Sequence, residues 1–174
     1  GLKSASKLLN TSDEKLLQFL KKYLKNLELG EIPEREFWKL AVDEFNPNAE
    51  VYEVERAWIN GQPKIKAGWK LVDLLKDKYK LAICTNNLLG VMEKQTKRLP
   101  KFNEFEFIID SSQEKIRKPD PRMYRLVEDI LDVSSNEVFF IDDSIENIKA
   151  AKKVGWRCVL FNKDSKDKIV EALL

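Results

Sequence analysis

The stretch Val138-Phe139-Phe140-Ile141-Asp142-Asp143-Ser144-Ile145-Glu146-Asn147 sets four apolar residues directly before two adjacent carboxylates. Val138 to Ile141 has the length and character of a buried strand, and Ser144 to Val154 those of a helix. Arg157 to Phe161 comes next as another apolar strand, ahead of a terminal helix. Upstream, Asp120-Pro121 opens a helix running to about Leu131, because Asp caps well and Pro suits the next position. Earlier still come a helix over Lys64 to Asp77, a strand over Lys80 to Thr85, a helix over Leu88 to Leu99 and a strand over Phe105 to Ile109. Continuous apolar strands alternating with helices predict an α/β fold, a Rossmann-like parallel sheet covered on both faces in three layers. Ligands in such sheets sit at the carboxyl ends of the strands.

Before Gln62-Pro63 the signals are helical throughout, so residues 1–62 read as a small helical cap and 63–174 as the α/β core. Thr11 and Glu14 have capping-box spacing, and Leu16, Leu17, Leu20, Tyr23, Leu24 and Leu27 then recur at helical spacing up to Gly30. Pro33 suits the first position of the next helix, Asn46-Pro47-Asn48 breaks it, and a third helix carries Val51, Val54, Trp58 and Ile59. Trp38, Tyr52 and Trp58 either line a pocket or hold this unit together.

The 174 residues are 43% hydrophobic and 34% charged, the balance of an ordinary globular chain. Thirty-one basic against 29 acidic side chains leave a charge of +2, which makes no electrostatic case for nucleic acid or an anionic membrane. There is no histidine, which removes Ser-His-Asp and Cys-His catalysis and every His-liganded metal. Cys84 and Cys158 lie in strand-like runs without metal-ligand spacing and read as two buried reduced thiols, in keeping with a cytosolic compartment. No apolar stretch approaches the ~20 residues of a membrane span. The lysines between Lys64 and Lys80 read as the solvated face of one helix, and nothing speaks for an oligomeric state.

The polar residues at the strand ends narrow the candidates. Thr85 with Asn86 offers a hydroxyl and backbone N–H groups at a helix start, which suits an anion or a simple cap. Asp142 and Asp143 would repel unless a hard divalent cation or another partner stands beside them; Asp143 with Glu146 also spells a cap, which leaves Asp142 without a role. Lys118, in Arg117-Lys118-Pro119-Asp120-Pro121, precedes a proline and is held extended. Aimed at the strand ends, its amine would attract a phosphate oxygen by about 4 kcal/mol at ~4 Å and an effective dielectric near 20. In a tight surface turn it would be a plain surface lysine.

Order and spacing together are more specific than any single element. Ile83-Cys84-Thr85-Asn86, then Lys118-Pro119-Asp120-Pro121 with Tyr124, then Ile141-Asp142-Asp143-Ser144 with Asn147, Ala150, Ala151 and Gly155, resemble the second, third and fourth motifs of the haloacid dehalogenase superfamily. Gly30-Glu31-Ile32-Pro33 with Phe37 resembles the cap of its subfamily with a helical lid after the first motif. The resemblance implies phosphoryl transfer from a small phosphorylated substrate to an aspartate and then to water, with Mg²⁺ as cofactor. It implies that Thr85 and Asn86 hold the phosphoryl group and that Lys118 neutralises it. Asp143 with Asp142 beside it would bind Mg²⁺, and Asn147 would brace the loop. Paired acids favour a phosphatase over a metal-free dehalogenase.

The first motif, a strand ending Asp-x-Asp that carries the nucleophile, has no match in these residues. The resemblance therefore implies a sheet without its central strand between Lys80–Thr85 and Val138–Ile141, unless the two halves close up or Leu2 to Leu9 fill the gap against the cost of burying Lys3, Ser4, Ser6 and Lys7. Gly1-Leu2 resembles the end of that motif, so the expectation is a hydrolase chain beginning just after its nucleophile; a catalytically dead module with a phosphate cradle is the alternative. Lys115 stands where relatives often have Gly, which predicts an altered turn.

Overall fold

Leu2 to Leu9 do not form a strand. In the computed structural model, which describes residues 1–62, 66–162 and 165–173, they open with helix α1 (Leu2–Leu8). Ala5 and Leu9, four apart, are wholly buried, and Lys3 and Lys7 stay in solvent, so the helix satisfies both requirements that a strand would have set against each other. Helix α2 (Asp13–Glu28) starts one residue later than the Thr11 box implies: Ser12 is extended and its side chain accepts from the Lys15 N–H. Thr11 and Ser12 are both competent caps, and the neighbour whose hydroxyl reaches the N3 amide prevails. Pro33 likewise stands just before α3 (Glu34–Phe45) rather than in its first position. Helix α4 (Val51–Asn60) follows the break at Asn46.

These four helices close around Leu16, Leu27, Phe37, Trp38, Ala41 and Val54, with Phe19 and Tyr23 packed alongside. Trp38 is wholly buried, its ring centroid 5.3 Å from that of Trp58 and its indole N–H donated to Glu34 over 3.1 Å. Those two tryptophans therefore hold the helical unit together, and Tyr52 projects into solvent.

The rest alternates as expected: α5 (Lys66–Leu75), β1 (Ala82–Thr85), α6 (Val91–Arg98), β2 (Phe107–Asp110), the single turn α7 (Ser111–Glu114), α8 (Pro121–Leu131), β3 (Phe139–Asp142), α9 (Ile145–Lys153), β4 (Arg157–Leu160) and α10 (Lys166–Leu173). The expected start of the α5 helix at Lys64 lies outside the described residues. Asp120 caps α8 by accepting from the Arg122 N–H, with Pro121 next, as the dipeptide predicts. Strands β3 and β4 pair in parallel, Phe140 opposite Cys158. Tyr124, Phe140 and Trp156 interlock edge to face under α9, with centroids 5.1–6.0 Å apart.

Among the described residues the strands form two pairs, β1 with β2 and β3 with β4, and no ladder joins β1 to β3. The chain resolves into two compact units. One holds the N-terminal helices together with Asn86–Phe102 and Asp110–Lys115; the other holds the four-strand region, α8, α9 and both α5 and α10.

Lys115 itself adopts the left-handed conformation (φ 58°, ψ 21°) that glycine would supply. Its amine donates to the carbonyls of Gly30 and Ser112, each over 3.0 Å, so two hydrogen bonds offset the strain of this turn.

Candidate active site

Strand β3 delivers Asp142 to a buried position. One carboxylate oxygen accepts from Lys118 Nζ over 2.7 Å; the other accepts from the Ser144 N–H (2.8 Å) and Asn147 Nδ2 (3.0 Å). Lys118 Nζ also donates to the Cys84 carbonyl of β1 over 2.6 Å and lies 5.3 Å from the Phe140 ring centre. A buried ammonium thus bridges the carboxyl ends of β1 and β3. Lys118 is not a surface lysine, and Asp142 has the partner that sequence spacing alone did not reveal.

Asp142 and Asp143 do not share one environment. Asp143, in a bend just past β3, is exposed, whereas Asp142 is buried. Nor does Asp143 cap α9: Ser144 does, accepting from the Asn147 N–H over 3.4 Å. Asn147 is buried, bonded through its side chain to Asp142 and through its carbonyl to the Tyr124 hydroxyl (3.0 Å). Burial, followed by the neighbouring Cys84 and Asp142, drives the Tyr124 phenol well above its ordinary range.

Thr85 ends β1, one residue beyond the carbonyl that Lys118 grips. Asn86 belongs to the helical unit, with Asn87 and Ser111. The structure therefore gathers Lys118, Asp142 and Asn147 with the end of β1, and leaves Asp143 outside that network. Cys84 is half-buried, and desolvation pushes its thiol up to about 11, so it stays protonated and unreactive near neutral pH. Cys158 is a second free, half-buried thiol. Tyr124 and Ser111 carry contacts whose signal in sequence was only their place after a motif and after a strand.

Magnesium needs converging oxygens, and among the described residues no three acidic, histidine or cysteine side chains come together as metal ligands. Asp142 has both oxygens committed to Lys118, Ser144 and Asn147. The described residues do not by themselves make a magnesium site.

The profile of haloacid dehalogenase-like hydrolases matches residues 7–155. The chain belongs to that family. It is 35% identical over 91 residues to bifunctional epoxide hydrolase 2 of Rattus norvegicus, half of this chain and 16% of the rat protein. It is 29% identical over 97 residues to a phosphatase of Mycobacterium tuberculosis, covering 54% of this chain and 45% of that one. The chain thus spans well under two thirds of these relatives. In fold it is similar to a haloacid dehalogenase-family enzyme of Bacteroides thetaiotaomicron crystallised with magnesium and inorganic phosphate. That likeness has a TM-score of 0.71 at 24% identity and covers 80% of this chain and 74% of the other. The chain therefore has the family's α/β fold. None of its described helices is long and apolar enough to cross a membrane.

Proposed function

We propose that these residues are the helical cap (1–62) and most of the core (63–174) of a magnesium-dependent phosphatase acting on a small phosphorylated metabolite through an aspartyl-phosphate. The observation that carries this reading is the Lys118 ammonium, held by the Cys84 carbonyl and Asp142 at the ends of two unjoined strand pairs. Phosphoryl transfer is mostly positioning and charge neutralisation, and a fixed buried cation beside the reacting group supplies both. Lys118 holds the phosphoryl charge, Thr85 and Asn86 offer it hydroxyl and amide donors, and Asn147 keeps Asp142 aimed at Lys118. Asp143, exposed just past β3, is assigned to the magnesium ion that the family's chemistry uses, while Asp142 stays engaged by Lys118, Ser144 and Asn147. Bound there, the ion would neutralise phosphate charge once further acids join it. The nucleophile belongs on a strand between β1 and β3, ending Asp-x-Asp.

The test is hydrolysis of p-nitrophenyl phosphate with Mg²⁺ by the 174-residue chain and by the same chain carrying such a strand. Loss of a nucleophile that acts within a unit costs on the order of 10⁶ in rate, so the first should be silent and the second active. Silence in both, with phosphate still bound, would replace the phosphatase with a phosphate-binding module.

A further inference from the structure

Three stretches far apart in sequence meet at Ser111, which is wholly buried. Its hydroxyl donates to the Glu28 carbonyl at the end of α2 over 2.6 Å and accepts from the Asn87 N–H over 3.1 Å. Asn87 in turn folds its own side-chain oxygen onto the Leu88 N–H at 2.9 Å. The amides of residues 87 and 88 are thus consumed within the protein, which leaves them no part in gripping an anion.

The junction is locked on both sides. Asp110 accepts from the Ser112 N–H and hydroxyl at 2.9 and 2.8 Å, which sets α7. Lys115 reaches from the far end of that turn to the Gly30 carbonyl. Gly30 itself has φ 63°, and a Cβ there would be driven into the Ser112 carbonyl oxygen, so only glycine permits this approach. All of these residues lie in the helical unit, Asn86 and Asn87 included.

We propose that Ser111 is a positioning residue that fixes the Asn86–Asn87 backbone to the C-terminal end of α2. Its consequence for phosphate rests on the reading of Asn86 as a phosphoryl holder; its positioning role does not. One hydroxyl serves as donor to one element and acceptor for another, so neither the loop nor the helix end can shift without losing a buried hydrogen bond.

Amide hydrogen exchange on the ¹⁵N-labelled 174-residue chain reads the junction directly. Ser111→Ala should speed exchange at Asn87 by about tenfold or more, because a partly buried N–H loses its acceptor, and leave Ile148 and Ala151 of α9 at their original rates. Gly30→Ala presses on the same junction without altering Ser111 and should act on Asn87 alike. Unchanged exchange at Asn87 in both variants, or uniform acceleration across α1 to α4, overturns the proposal. Titration with inorganic phosphate separates it from the functional reading. A response at the Asn86 amide that weakens in Ser111→Ala supports both. No response at Asn86 in the unaltered chain sinks the phosphate reading and leaves Ser111 to be judged by exchange alone.

Discussion

Lys118 Nζ stands 2.7 Å from Asp142, with 7% of one side chain and 6% of the other exposed, and the same amine holds the carbonyl of Cys84. The pair joins two strand ends that no backbone ladder joins. Removing one partner would leave the other charged and buried, at a cost of about 3–5 kcal/mol. Lys118→Met should therefore lower the urea-unfolding free energy by that amount, and adding Asp142→Asn should recover part of it. A loss under about 1 kcal/mol in the single variant would show that the pair is screened by solvent.

Alkaline pH should weaken the fold from about pH 9 upward. Burial raises the Cys84 thiol from its ordinary 9.0 to about 11 and raises the Tyr124 phenol above its ordinary 10.0. Above pH 9 the unfolded chain therefore releases protons that the folded chain retains, so stability falls as pH rises. The Cys84 share reaches on the order of 2 kcal/mol by pH 11. Urea midpoints from pH 7 to 11 should slope downward, and Cys84→Ala should flatten the part beginning near pH 9. An identical slope in that variant would remove Cys84 from the account.

Lys115 tests the left-handed turn. Lys115→Ala loses both amine hydrogen bonds and keeps the strained backbone, whereas Lys115→Gly loses the same bonds and relieves the strain. The glycine variant should be the more stable of the two by about 1 kcal/mol. Thermal melts showing alanine equal or better would mean that the turn relaxes when the side chain goes.

Local signals were readable where one residue had no rival. Asp120-Pro121 caps and opens α8 as that dipeptide dictates, and the strand leading to Asp142 lies within one residue of expectation. They misled where two adjacent residues compete for one job: Ser12 rather than Thr11 caps α2, and Ser144 rather than a box on Asp143 caps α9. The ionic partner of Asp142 was invisible, because Lys118 lies 24 positions away and only the fold brings the two together. Ser111 was hidden for the same reason, its acceptor at Glu28 being 83 positions back. At Lys115, long-range hydrogen bonds hold a left-handed conformation that local propensity opposes.

The proposed phosphatase stands or falls on a strand between β1 and β3. Each buried backbone group left unpaired on those inner edges costs about 1–3 kcal/mol, so several would take most of a typical stability of ~5–15 kcal/mol. Urea unfolding of the 174-residue chain against one carrying an added apolar strand ending Asp-x-Asp measures this directly. A markedly higher midpoint and a sharper transition are predicted for the extended chain. A cooperative transition at the same midpoint in both would contradict the missing strand.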